Sequence, residues 1–388
     1  MAGYYLNNYK KHPFIPAIQK TSTLIMLALL ALACFIVSIN VKTIEVSNSY
    51  NEKIKAANLM QRSMSILKEF RMSSGVFVDI ENDPNETGIV GSPYSLITTD
   101  EGDLDSKLTT LDPNFSAAIV DLLVELGLSS TDTIAVMMTG SMPGANIAVL
   151  TACNALGIQP VTITSVGASQ WGANQIDFTW LDMESILYNE GLIQSKSLAA
   201  SIGGRNDMGR LLSPAGRAII VENIRHHNIP LIQNSKLADN INERIDIFNS
   251  ILPITSYSAI INVGGGVASL GTSFNLRLLP PGIVRRSDVQ TIMRDGGIQG
   301  VFSKFLNMSI PGLHILNIRP LTEQFNMPFA PIPIPDIGEG SLYADERYNM
   351  LIASICLLIV IGSVLSVGLQ SKKKIKEHLI KHEPDSLL

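Results

Sequence analysis

Cysteine is scarce in this chain of 388 residues, with three in all. Cys34 and Cys356 fall inside long apolar runs and Cys153 on a helix-like stretch, so the sequence offers neither a disulfide framework nor a thiolate metal site. Histidine is nearly as scarce: only His226, His227 and His314 lie between the apolar runs, which leaves a serine hydrolase little choice of imidazole base. Two nucleotide fingerprints are missing. No Gly-x-Gly-x-x-Gly opens a helix with an acidic residue about twenty positions on, and no Gly-x-x-x-x-Gly-Lys-Ser/Thr occurs, so no cofactor is expected.

Charge is absent over two stretches, Leu24 to Ile39 and Met350 to Leu369. The second has twenty residues, enough at about 1.5 Å per residue to cross a hydrocarbon core of about 30 Å. The first is extended by Thr21, Ser22, Thr23, Ser38 and Asn40, which suit a headgroup region, and reads as a signal anchor. Ala31, Leu32, Ala33 and Cys34 loosely resemble a lipoprotein processing site, but the apolar run continues past the cysteine. Lys10, Lys11 and Lys20 precede the first stretch, and Lys372, Lys373, Lys374 and Lys376 follow the second. Both termini are therefore expected in the cytoplasm of a two-pass inner-membrane protein, with the main domain outside. Setting the two tails apart leaves a body with 21 basic and 31 acidic residues, an excess that argues against nucleic acid as a partner. Three glycosylation-type triplets, at Asn85, Asn114 and Asn307, are no more than a chain of this length produces by chance.

The expected division is a cytoplasmic N-terminus (1–21), a membrane helix (22–40), a membrane-proximal helix (41–75), an α/β domain (76–326), a proline-rich connector (327–348), a membrane helix (349–369) and a basic cytoplasmic tail (370–388). Ile44, Ile54, Ala57, Met60, Met64, Leu67 and Phe70 recur near the helical period, predicting a stalk packed on the domain or a partner-binding helix. Residues Asp79 to Asp112 have the composition of turns and read as a surface segment. From Pro113, helical patterns alternate with short apolar strands, which predicts an α/β domain on a mostly parallel, Rossmann-like sheet of at least five strands. The helices are expected at 114–126, 144–156, 181–190, 214–226 and 240–250, and the strands at 133–138, 160–164, 197–202, 230–232 and 258–263. Prolines 328, 331, 333 and 335 exclude helix from the stretch 327–340, which reads as an extended connector.

In an open parallel sheet, ligands bind beyond the carboxyl ends of the strands. Glycine recurs in those loops here: Gly140-Ser141-Met142-Pro143-Gly144-Ala145-Asn146, then Gly167 through Ser169 to Asn174, then Gly203-Gly204-Arg205-Asn206-Asp207, then Gly264-Gly265-Gly266. Each loop taken alone is a tight turn. Together they predict a cleft for a small anion, with Gly140, Ser141, Gly144, Asn146, Ser169, Asn174, Gly203, Gly204, Arg205, Gly264, Gly265 and Gly266 as ligand-binding candidates. Ser141 sits near the place of a nucleophile elbow, although Gly-Ser-Met-Pro-Gly departs from Gly-x-Ser-x-Gly; it is a candidate nucleophile or a hydrogen-bond donor. Arg205 with Asp207 reads as a charged pair able to grip a carboxylate and polarise water, with Asp207 a second catalytic candidate, or else as a solvated salt bridge. Arg277, Arg285 and Arg286 extend a local basic track, and Trp171 either stacks on a ligand or packs. No metal ligands are expected.

The run Ala135 to Ala148, with Gly264-Gly265-Gly266, the two apolar stretches and the overall length, resembles the membrane proteins called poly-γ-glutamate system proteins, over most of the chain. The resemblance implies a bacterial envelope protein of capsule biosynthesis, acting beside the ligase and membrane subunits that make and export poly-γ-glutamate. Its partners would be those synthase subunits, the lipid bilayer and the anionic polymer. It implies an accessory subunit holding γ-glutamyl carboxylates, with an envelope hydrolase or transferase acting on γ-glutamyl chains as the alternative.

Overall fold

The computed structural model describes residues 14–271, 279–292 and 298–382, in two compact units, one of residues 46–344 and one of the residues on either side. Lys10, Lys11 and Arg277 lie outside the described residues.

In the flanking unit, helices Thr21–Asn40 and Met350–His382 are both long and apolar enough to cross a membrane, and neither is buried within the protein. The second continues past residue 369, so Lys372 to Lys376, expected in a tail beyond the helix, lie on it. The uninterrupted run of helix-compatible residues up to His382 contains no proline or helix-ending glycine to stop it. Strands Lys42–Val46 and Ala344–Tyr348 pair as a two-stranded sheet, with ion pairs Lys42–Glu346 (2.8 Å) and Arg347–Glu45 (2.7 Å) across it.

The single helix expected over 41–75 is therefore a strand followed by a helix. Thr43, Ile44 and Val46 supply β-branched side chains that favour an extended backbone, and Ser49 at φ 58° breaks the chain before helix α1 (Tyr50–Ser73). α1 is part of the α/β unit, burying Ala56, Ala57, Met60, Met64 and Leu67. Lys53 near its start is also buried. Its ammonium reaches Asp121 (2.6 Å), the carbonyl of Leu342 (2.6 Å) and Ser47 Oγ (3.0 Å), while the Ser47 amide donates to the Tyr343 carbonyl (2.9 Å). The two ends of the unit are thus tied together.

Helices α2 (Leu104–Thr110) and α3 (Asn114–Glu125) lead to strand β1 (Thr133–Thr139), and α4 (Pro143–Leu156) to β2 (Gln159–Ser165). Proline in the first turn of α4 loses no helical hydrogen bond, and Gly157 at φ 75° ends the helix in the left-handed conformation a C-terminal cap requires. Helix α5 (Trp180–Asn189), strand β3 (Ala199–Ser201), helix α6 (Pro214–His226), strand β4 (Leu231–Ile232), helix α7 (Leu237–Ile251) and strand β5 (Ala259–Val263) follow. Helix α8 (Val267–Leu270), strand β6 (Gly282–Val284), helices α9 (Arg286–Ile292) and α10 (Val301–Asn307), strand β7 (Gly312–Ile315) and helix α11 (Ile318–Glu323) complete the unit. Ser213 caps α6 by accepting from the Gly216 amide (3.0 Å), as the Ser-Pro boundary predicts.

The fold is α/β on a seven-stranded sheet of order β4-β3-β2-β1-β5-β7-β6, parallel except for the β7–β6 pair at one edge. Alternate strand residues enter two cores. Ile134, Val136, Met138, Ile261 and Val263 pack with side chains of α1, α3 and α4, whereas Ala135, Met137 and Ile260 pack with Phe248 of α7 and Phe302 and Phe305 of α10.

The segment 79–112 is a packed strap. Ile89, Val90, Ile97, Leu108 and Leu111 are buried, and Asp83 and the backbone around it are held by hydrogen bonds. Asp83 accepts from the amides of Thr87 (3.0 Å) and Gly88 (2.7 Å), while the Arg71 guanidinium donates to the carbonyls of Gly88 (2.6 Å) and Val90 (2.9 Å). The proline-rich run also lies on the domain, held by Asn85 Nδ2 donating to the Pro331 carbonyl (2.8 Å) and Asn114 Nδ2 to that of Pro335 (3.2 Å); Met327 and Phe329 pack on the core. Proline excluded helix as expected, but apolar residues between the prolines bind the run to the surface.

Candidate functional site

From β1 the chain adds β2, β3 and β4 in turn on one side, then crosses over to place β5 against the other side of β1. The loops after β1 and β5 therefore leave the sheet in opposite directions, which opens a crevice at their strand ends. A cleft of about 360 Å³ lies there, the size of a small-molecule site. Its walls are Ser141 and Met142 after β1, Gly167 and Ser169 after β2, Gly204 and Arg205 after β3, and Gly264 to Gly266 after β5. The last of these loops runs so close to β1 that a Cβ on Gly264, at φ 85°, would stand 2.2 Å from Thr139 Oγ1.

Thr99 to Lys107 of the strap provide the remaining wall. The strap is sewn to the loop after β2: the Gly91 amide donates to the Trp171 carbonyl (3.1 Å), Thr99 N to Ala168 O (2.8 Å) and Gln170 N to Asp100 O (3.1 Å). Asn174 exchanges bonds with both backbone groups of Ser92, accepting at 2.9 Å and donating at 2.7 Å.

Lys107, on α2, is the residue that sequence reasoning missed. It is 5% exposed, and its ammonium donates to the Ser141 carbonyl and lies 3.1 Å from Met142 Sδ and 3.2 Å from Ser169 Oγ. Burial draws its pKa down to about 8 against the pull of Asp103, which leaves a workable fraction of neutral amine near physiological pH. Its position was readable in retrospect: residues 104, 107, 108 and 111 form one face of a helix, and a lysine there interrupts an otherwise leucine stripe. The strap also brings Asp100, Glu101 and Asp103, all exposed, to the cleft, opposite in sign to Lys107 and Arg205.

Of the candidates from sequence, Ser141, Ser169, Gly204, Arg205, Gly264, Gly265 and Gly266 line this one cleft. Gly140, Gly144 and Gly203 sit behind it, with neighbouring backbone or side chains packed where a Cβ would stand. Asn146 is buried, with Nδ2 donating to the Thr139 carbonyl (2.9 Å), and so caps the strand end; Asn174 holds the strap. Ser141 Oγ accepts from the Ser169 amide (2.9 Å). Trp171 packs at the edge of the core.

The Arg205–Asp207 pair is not formed. Asn206 and Asp207 both take positive φ, 63° and 60°, which turns the Asp207 carboxylate inward while Arg205 stays exposed in the cleft. Asp207 is 1% exposed and bound to Arg244 (2.8 Å), Ser201 Oγ (2.7 Å) and Asn240 Nδ2 (3.1 Å). Every carboxylate oxygen is used in holding α7 to β3, so Asp207 does not reach a ligand in the cleft. Arg285 and Arg286 are exposed and do not line it.

The histidines serve elsewhere. His227 follows α6 and meets Asp182 at 2.7 Å; burial alone would raise the Asp182 pKa, but this contact and the bonds from Thr179 bring it below the ordinary value. His314 is buried on β7, its pKa pushed down to about 4 by burial. Among the described residues, no group of three or more His, Cys, Asp or Glu is placed to hold a metal ion. Lys107 is thus the buried amine of the cleft, beside the exposed carboxylates of Asp100, Glu101 and Asp103.

Compared with known proteins, the chain matches no family model, no curated protein and no solved structure.

Proposed function

We propose that this chain is a membrane-anchored accessory component of a poly-γ-glutamate synthesis and export system, and that its strand-end cleft holds the end of a γ-glutamyl chain. The observation that carries this reading is the convergence of four glycine-bearing loops on a small cleft containing Lys107 and Arg205. A carboxylate is the ligand group that best satisfies a buried amine, an exposed guanidinium and adjoining hydroxyls. Asp100, Glu101 and Asp103 on the same cleft repel the repeating carboxylates of a polyanion but suit an ammonium. Mixed charge of this kind favours the zwitterionic terminal unit, with its free α-amine and carboxylate, over the middle of the chain.

The reversal of strand order beside β1 supports a Rossmann-like description of the domain. The two apolar helices and the lysines at Lys20 and Lys372 to Lys376 support a two-pass protein with both termini in the cytoplasm, its membrane helices packing on the synthase subunits.

Titration calorimetry on the whole chain in lipid nanodiscs tests the ligand. Defined γ-glutamyl oligomers with a free amino end are expected to bind saturably, acetylated oligomers more weakly, and Arg205→Ala is expected to weaken binding by about tenfold, the loss of roughly 1.4 kcal/mol. Absence of binding to either oligomer would remove the reading.

A further inference from the structure

Lys107 and Ser169 are 62 residues apart in the chain, yet the Lys107 amine is 3.2 Å from Ser169 Oγ inside the cleft. A hydroxyl is a weak nucleophile until a base sits within hydrogen-bond reach, and a desolvated lysine can be that base. The backbone fixes the arrangement on both sides. The Ser169 amide donates to Ser141 Oγ and the Lys107 ammonium donates to the Ser141 carbonyl, so Ser141 positions both partners, and Ser169 Oγ is the hydroxyl bonded to the base. Ser169, rather than Ser141, therefore has the geometry of an activated nucleophile.

We infer that Ser169 and Lys107 form a serine–lysine acyl-transfer dyad, with Ser169 as nucleophile, Lys107 as general base and acid, and an amide whose acyl half carries a carboxylate as the substrate class. The neutral Lys107 amine takes the Ser169 proton as Oγ bonds to the acyl carbon. The C–N bond then breaks, and the lysine ammonium gives that proton to the departing amine. A water, deprotonated by the same amine, attacks the Ser169 ester; the C–O bond to Ser169 breaks, Oγ recovers a proton from Lys107, and the acyl group leaves as a carboxylic acid. The choice of a carboxylate-bearing amide rests on the ligand reading above.

A fluorophosphonate probe tests the dyad on the whole chain in nanodiscs, because it phosphonylates an activated serine with loss of fluoride and does not require the natural substrate. Labelling is expected on the peptide containing Ser169, lost in Ser169→Ala and slowed by about a hundredfold or more in Lys107→Met. In the wild type alone, the labelling rate should rise with pH to a plateau with a midpoint near 8, the pKa to which burial draws Lys107; this readout needs no variant to fold. Labelling at Ser141, labelling at another serine, no labelling, or a rate indifferent to pH between 6 and 10 would each overturn the dyad. Oligomer binding measured on the same preparation separates the two ideas: binding without labelling removes the dyad alone, whereas neither binding nor labelling removes both.

Discussion

Arg244 and Asp207 form an ion pair of 2.8 Å with both side chains essentially sealed from solvent, 0% and 1% exposed. The contact joins α7 to the turn that follows β3, and Ser201 and Asn240 complete the bonding of the carboxylate. Removing one member of such a pair leaves a buried charge without compensation. Asp207→Ala is therefore expected to cost about 3–5 kcal/mol in chemical denaturation. Replacing both partners by apolar residues should recover much of that loss. A change below about 1 kcal/mol in Asp207→Ala would show that the pair does not hold the fold.

Lys107 should behave in the opposite way. Its folded pKa lies below the ordinary 10.5, so the folded state sheds the proton first, and the burial cost present at pH 7 is relieved as pH rises from about 8 to 10.5. Melting temperature in that window is expected to rise relative to Lys107→Met, in which the slope is absent. At pH 7 the methionine variant should be the more stable by about 1 kcal/mol while losing ligand binding. A less stable variant would instead mark Lys107 as a structural residue.

Glu184 on α5 is buried, accepts from the amide and hydroxyl of Ser197 (both 2.9 Å), and is pushed up to about 7 by burial despite those bonds. Its folded state holds the proton to higher pH than the unfolded chain, so stability is greatest below about pH 4.5 on this account. It falls as pH climbs to about 7, by up to about 3 kcal/mol. Glu184→Gln keeps an acceptor for Ser197 and should flatten that part of the profile, read by denaturant midpoints at pH 5 and pH 7.5.

Gly91 tests the strap. A Cβ there would stand 1.8 Å from the carbonyl of Gly172, so Gly91→Ala must displace the strap from the loop after β2. Hydrogen exchange should accelerate across residues 92–102, with a global loss of about 2 kcal/mol. Ligand affinity should fall with it, because Lys107 rides on the helix that the strap leads into. Unchanged protection of the amides of Thr99 and Gln170 would refute the coupling.

Elements with a clear period were legible in the sequence. Helix 214–226 matched at both ends, and the strands expected from 133, 160 and 258 were placed within a residue or two, because short apolar runs bounded by turn residues mark them. The four strand-end loops were legible for the same reason, since glycine clusters follow each strand. The strap was not. Its buried residues Ile89, Val90 and Ile97 are spaced by tertiary contacts rather than by any period, and its aspartates read as solvent-facing although Asp83 is buried among amides. Asp207 was misplaced because sequence proximity suggested Arg205, whereas two left-handed residues turn it toward an arginine 37 positions later. Local pattern reports local partners, and both errors concern distant ones.

The clasp between residues 47 and 343, reinforced by Lys53 on the carbonyl of Leu342, determines how the domain bears force. Tension applied at the two ends of the domain enters at neighbouring points and is met first by those few bonds. The sheet lies outside that load path, so the crevice at its strand ends is insulated from tension applied at the two ends of the domain.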